Sequence, residues 1–253
     1  MLKITEEGVL FRSYRDGAKF LLTPETSIDA QKKMGADIII PFDELPPYHI
    51  DPKKLKESLD RTHRWEKRSL EAHLKNPQDQ AMYAVVHGGV NPDMRKESAE
   101  YLGSLPFDGF AIGGSIGKTK EEMVNMLSST MCHLSYEKPV HLLGIGDLTS
   151  LDKCLPLGID TFDSSYPTKA ARHGLILTKT GGIKLARSTF ATQFEPIEKD
   201  CDCHTCKRFT LAYLHHLYKA KEVTFLTLAS IHNLHFMVRY MEEVRKMIIE
   251  DFI

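Results

Sequence analysis

The stretch MYAVVHGGVNPDMRKESAEYLGSLPFDGFAIGG, residues 82–114, decides the fold. It holds two short apolar runs, each ending in a glycine pair, with a helix-patterned segment from Pro92 to Leu102 between them. Strands that read as near-continuous apolar runs are buried on both faces, the situation of a parallel sheet covered by helices. The stretch therefore predicts a β-α-β unit.

The same alternation extends in both directions. ADIIIPF (36–42) precedes a helical pattern from Pro52 to Leu74; downstream, Lys120–Leu134 leads to PVHLLGIG (139–146) and Ser150–Leu155 leads to GIDTFDSS (158–165). The expected fold class is α/β, a (β/α)8 TIM-barrel type. Only five such strands can be read where a closed barrel needs eight, so the barrel is expected to be incomplete at the N-terminus, with open apolar strand edges. Chemistry in these barrels sits at the C-terminal strand ends, which singles out Asp43, His87, Gly113, Gly114, Gly144 and Asp163. Leu143, next to Gly144, is counted with the substrate-binding residues. VLFRSYRDGAKFLLT (9–23) reads as a hairpin around Asp16 and Gly17, followed by a helix starting at Thr23 and Pro24. LILTKTGGIKLA (175–186) reads as a second hairpin turning at Gly181 and Gly182, and helices run from Lys207 to the end. No linker-like or low-complexity segment interrupts the chain, so 1–253 is read as one domain carrying a helical subdomain at 195–253.

Composition narrows the class: 253 residues at 42% hydrophobic and 26% charged describe an ordinary globular protein with ample core. The start lacks the pattern of a signal peptide, and no run approaches the roughly 20 apolar residues needed to span a bilayer, so a cytoplasmic protein is expected. Net charge is −1, but between Ser165 and Phe194 acidic residues vanish while Lys169, Arg172, Lys179, Lys184 and Arg187 remain, a basic patch able to hold phosphates or an ordinary solvated face.

CDCHTC (201–206) holds three of the five cysteines. In a reducing compartment such a cluster points to a metal rather than a disulfide. Cys201, Cys203 and Cys206 supply three thiolates, and tetrahedral zinc asks for a fourth ligand. His204, His215, His216 and His232 compete; His204 would need a tight chelate ring, and His232, read as lying at a helix boundary, stands slightly ahead of His215. With four protein ligands the zinc would be structural.

GIDTFDSSYPTKAARHG (158–174), CDCHTCKRFTLAYLHHL (201–217) and LTLASIHNLHFMVRYMEEVR (226–245), with PFDELPPY (41–48) and AIGGS (111–115) upstream, resemble the tRNA-guanine transglycosylases. The resemblance covers practically the whole chain. It implies a (β/α)8 barrel with a zinc subdomain, exchange of the wobble guanine of tRNAs with a G-U-N anticodon for queuine or its aminomethyl precursor, and a homodimer. It assigns zinc to Cys201, Cys203, Cys206 and His232, and the covalent nucleophile to Asp163; Asp160 reads as structural. Asp43 resembles the base-binding aspartate and Gly114 a backbone donor to guanine O6. His87 stands where bacterial members usually carry glutamine. Lys169 and Arg172 match positions that contact the anticodon loop, Lys169 in place of a usual arginine, without its bidentate reach.

Three departures bear on function. Leu45 replaces a cysteine, and Gly117 replaces a branched residue, which would leave room for the cyclopentenediol of queuine. The DSGG motif of the family has no match, so the chain reads as a truncated form: either an enzyme with its nucleophile kept or a noncatalytic tRNA-binding homologue.

Overall fold

The computed structural model describes residues 3–250; Met1 and the last three residues of EDFI lie outside them. The chain divides into two compact units, the first ending at Asp163 and the second beginning at Ser164.

The first unit opens with an antiparallel meander of β1 (Lys3–Ile4), β2 (Val9–Arg12) and β3 (Lys19–Leu22). Arg12 pairs with Lys19 across the expected turn, where Gly17 takes φ +75°. α1 (Pro24–Met34) starts as the sequence predicts: Pro24 holds its first turn, and the Thr23 side chain accepts from Thr26 N.

Five parallel strands follow in sequential order: β4 (Ile38–Ile39), β5 (Ala81–Val86), β6 (Gly109–Ile112), β7 (Val140–Leu142) and β8 (Thr161–Phe162). Helices α2 (Pro52–Leu74), α3 (Pro92–Gly103), α4 (Lys120–Met131) and α5 (Leu148–Cys154) connect them. This is a half-barrel; four of the five strands fall within the runs read from the sequence, and β5 starts one residue before its run, at Ala81. Each of the four helices is capped by a side chain: Asp51, Asn91, Thr119 and Asp147 accept backbone N–H groups of their first turns. α4 ends three residues before the expected Leu134, whose N–H instead closes a turn onto Met131 O. Two aspartates sit at strand entrances: Asp108 accepts from Met82 N at 2.8 Å and Asp160 from Val140 N at 2.7 Å, a structural task for Asp160.

Strand parity positions everything that follows. Met82, Ala84, Val86, Phe110, Ile112, Val140 and Leu142 enter the main core with α1–α5 residues such as Ile28, Leu70, Leu102 and Leu127. Tyr83, Val85 and Ala111 form a separate cluster with Ile40 and Leu143 on the opposite face. At the C-terminal ends that second face therefore continues into His87, Gly113, Leu143 and Asp163. At the β4 edge Ile38 remains 48% exposed, as an open sheet edge implies.

The second unit comprises α6 (Tyr166–Arg172), the antiparallel pair β9 (Leu175–Ile176) and β10 (Ile183–Lys184), and helices α7 (His204–Arg208), α8 (Leu211–Ala220) and α9 (Val223–Ile249). Its core joins Ile176, Leu185, Phe190, Leu214, Leu217, Phe225 and Leu228 to Cys203 and Cys206. The hairpin connection is longer than the sequence suggested, closing through Gly181 N to Thr178 O. The helices begin at His204 rather than Lys207, because the Cys203 side chain caps α7 by accepting from Cys206 N. His232 lies in the middle of the 27-residue α9, not at a helix boundary.

Candidate active site and metal centre

The strand-end rim of the first unit starts at the loop after β4. Phe42 N donates to Ser69 Oγ at 3.0 Å and Glu44 N to Thr62 Oγ1 at 3.1 Å, so two hydroxyls of α2 hold the backbone on either side of Asp43. Phe42 also stacks on Trp65 with ring centroids 4.9 Å apart. Asp43 Oδ2 meets His87 Nε2 at 2.7 Å. A carboxylate only accepts, so Nε2 carries the proton and Nδ1 faces the other way. It faces Gly114: a Cβ built there would lie 2.8 Å from His87 Nδ1, and φ is +78°. Gly113 is equally hemmed in, by Val85 Cγ1 at 2.7 Å and Leu143 Cδ1 at 3.0 Å. The paired glycines are thus required by close approach, beyond the strand-end turn the sequence suggested.

Two buried ionisable side chains support this rim, and sequence reading missed both. Arg95 on α3 is fully buried and donates to four carbonyls: Val86 O at 2.7 Å, Gly89 O at 2.8 Å, Gly113 O at 2.8 Å and Ser115 O at 3.2 Å. It ties the loop after β5 to the loop after β6. Glu66 on α2 is also fully buried; its Oε2 accepts from Val85 N at 3.2 Å while Oε1 has no partner among the described residues. Burial, and secondarily the negative charge of Asp43, hold its carboxyl well above the usual carboxylate range. In the sequence both residues look like charges on amphipathic helices.

At the far end of the rim, Asp163 follows β8 with its side chain 60% exposed. Its Oδ1 accepts from Gly144 N at 2.8 Å and from His141 Nε2 at 3.2 Å, and His141 Nδ1 meets Thr161 Oγ1 at 2.9 Å. His141 is the residue of this site that the strand-end rule passed over, since it lies inside β7. Strand parity could have found it, because residues 141 and 163 share a face. Gly117 takes φ +109°, and a Cβ there would meet Glu122 at 3.1 Å. A glycine there therefore also answers to backbone conformation and to Glu122. Leu45 is 69% exposed.

In the second unit Cys201, Cys203, Cys206 and His232 bring their ligand atoms within 4.8 Å of one another. The three Sγ atoms lie 3.8, 3.6 and 3.4 Å from His232 Nδ1. Zn–S bonds of about 2.3 Å and Zn–N bonds of about 2.1 Å in a tetrahedron place S and N about 3.6 Å apart, so the donors fit zinc. His232 Nε2 donates to Leu177 O at 2.8 Å, which leaves the Nδ1 lone pair for the metal. Burial pushes the Cys206 and Cys201 thiols up and His232 down, a cost that a bound cation would offset. Two of the competing histidines are used otherwise, His215 Nδ1 bonding Leu185 O at 2.7 Å and His204 packing against Phe209 with centroids 6.1 Å apart, and His216 is exposed. Lys169 and Arg172 are exposed in the last turn of α6, whereas Lys179, counted in the basic patch, is paired with Asp200.

A parallel half-barrel with an aspartate-lined strand-end rim, joined in sequence to a unit whose Cys3His cluster could hold a metal ion, defines an α/β protein of the half-barrel type. The family model described as queuine tRNA-ribosyltransferase matches residues 1–253, and the chain belongs to that family. It is 68% identical over 253 residues to the queuine tRNA-ribosyltransferase of Protochlamydia amoebophila (strain UWE25), covering all of this chain and 65% of that relative. The proteins of the same name from Chlamydia felis (strain Fe/C-56) and Chlamydia trachomatis serovar L2 are 53% and 51% identical over 252 residues, with 99% of this chain and 68% of each relative covered. The chain thus spans about two thirds of the length of these curated relatives. Among the described residues no helix is long and apolar enough to cross a membrane.

Proposed function

We propose that the chain carries the tRNA-guanine transglycosylase reaction: exchange of the wobble guanine of a G-U-N anticodon for queuine or its aminomethyl precursor. The carrying observation is Asp163, an exposed carboxylate at the end of β8 on the rim that also presents Asp43 and His87. Its free oxygen attacks C1′ of the ribose, the C1′–N9 bond breaks with its electron pair passing to N9, and guanine departs as N9 is protonated. The incoming base then reverses these bonds, so the ribose keeps its configuration. Asp43, held by His87, accepts the N–H groups of the base edge, and the N–H near Gly114 donates to O6. Leu143 and Gly144 line the path to Asp163, while Lys169 and Arg172 take phosphates of the anticodon loop. Zinc on Cys201, Cys203, Cys206 and His232 supplies fold stability, all four positions being protein ligands.

The test is covalent trapping of an anticodon stem-loop with the wobble guanine, run on a denaturing gel. A shifted band that Asp163→Ala removes supports the reading. Binding of the stem-loop without any band, from zinc-loaded protein, would make the chain a noncatalytic tRNA binder.

A further inference from the structure

Both hydrogen bonds that reach Asp163 end on the same oxygen. Gly144 N, at 2.8 Å, is fixed by the backbone at the end of β7. The second donor, His141 Nε2 at 3.2 Å, is a half-buried ring held at its other nitrogen by Thr161 Oγ1 at 2.9 Å. Oδ2 has no partner among the described residues. We propose that His141 is a positioning residue for Asp163: it clamps Oδ1 so that Oδ2 is presented with its lone pairs unshared.

The chemistry of the partners fixes which nitrogen does this. A carboxylate accepts only, so the bond to Asp163 requires the proton on Nε2; the Thr161 hydroxyl, which can donate or accept, then donates to Nδ1 of the neutral ring. Asp163 thereby selects the tautomer, and the Thr161 hydroxyl, able to donate or accept, matches it at the other nitrogen. An exposed aspartate held by one donor would still rotate about its Cα–Cβ and Cβ–Cγ bonds; a second donor on the same oxygen from a neighbouring strand restricts both. Thr161 and Asp163 flank Phe162 on the same face of β8, and His141 stands opposite Thr161 in the parallel register. The three side chains are therefore brought together by the sheet itself.

The inference rests on the transglycosylase reading for its consequence but not for its geometry, and the experiment separates the two. Glutamine places an amide nitrogen where the ring has Nε2; asparagine places one where the ring has Nδ1. In the trapping assay His141→Gln keeps the rate of band formation within about threefold, whereas His141→Asn and His141→Phe lose roughly 10-fold to 100-fold, the cost of a misplaced reacting group. Equal loss in all three variants, or retention by Asn and loss by Gln, overturns the proposal in favour of a structural bond to Thr161. The second measurement needs no turnover: long-range nitrogen–proton spectra of the full chain, with the His141 ring assigned by its disappearance in His141→Gln. The expected result is the Nε2–H tautomer, with a shift of the Nε2 resonance in Asp163→Ala. A ring protonated at Nδ1 alone, or blind to Asp163→Ala, sinks the proposal even if no covalent band forms in the wild-type chain.

Discussion

His87 Nε2 donates to Asp43 Oδ2 at 2.7 Å, and this one bond converts a loop aspartate into a fixed acceptor. The ring is itself immobilised: His87 is 4% exposed, and its backbone N–H donates to Ser98 Oγ at 3.2 Å. His87→Leu removes the donor but keeps most of the volume. Because a hydrogen bond to a charged group is worth about 1.5–3 kcal/mol, guanine binding measured by calorimetry should weaken roughly 10-fold to 100-fold. His87→Gln, which can still donate to Asp43, should lose far less. Equal losses in the two variants would show that the imidazole acts through something other than this bond.

Arg95 supports the same rim from beneath. Four carbonyls, one at the end of β5 and three from the loops after β5 and β6, converge on its guanidinium, and among the described residues no carboxylate pairs with it. A lysine has a single ammonium centre and cannot span that set. Arg95→Lys should therefore lower stability by about 3 kcal/mol or more, since buried carbonyls lose partners at about 1–3 kcal/mol each. Denaturant unfolding reads the change, and a loss below about 1 kcal/mol would mean the loops hold their shape without it.

Much of this was legible in the residues, for reasons that differ by element. Strands β5 and β6 announced themselves because burial on both faces forces continuous apolar runs, and α2 was readable from end to end because its helical pattern runs unbroken from Pro52 to Leu74. The Cys3His set was half legible: three cysteines in six residues are local, but the histidine is brought in from α9 and only the fold distinguishes His232 from His215. Glu66, Arg95 and His141 were missed because a buried polar side chain and a solvated one look alike in a sequence. Their roles depend on which face of a helix or strand they occupy, and for His141 on register with a neighbouring strand.

The Cys3His cluster carries a stability prediction. Without metal, three thiols and an imidazole are packed together in the second unit, where burial disfavours the charged forms of Cys201, Cys206 and His232. Chelation should destabilise the protein by several kcal/mol and lower its thermal midpoint, with re-addition of zinc restoring it. Metal content measured on His232→Ala should fall well below one zinc per chain, while His215→Ala keeps it. Loss of zinc in His215→Ala with retention in His232→Ala would reverse the ligand assignment.

Glu66 gives a pH dependence whose sign can be worked out. Its ordinary value is 4.5, and burial, with the charge of Asp43 adding to it, raises that value well upward in the folded chain. The folded protein therefore keeps a proton that the unfolded chain releases as pH rises above about 4.5. Stability from this group is full below that pH and is lost progressively as pH climbs toward the folded value, at about 1.4 kcal/mol for every tenfold change in the acid's dissociation constant. Glu66→Gln stays neutral at every pH and keeps an acceptor for Val85 N, so it lacks this loss. The difference in unfolding free energy between variant and wild type should thus be constant near pH 4 and should shift in favour of the variant between pH 5 and 8. The slope is the test, because an amide N–H left without a partner shifts the whole curve without tilting it. Parallel curves across that range would mean that Glu66 ionises in the folded protein much as it does in the unfolded chain, and that its buried carboxyl is solvated by a route the hydrogen bonds do not reveal.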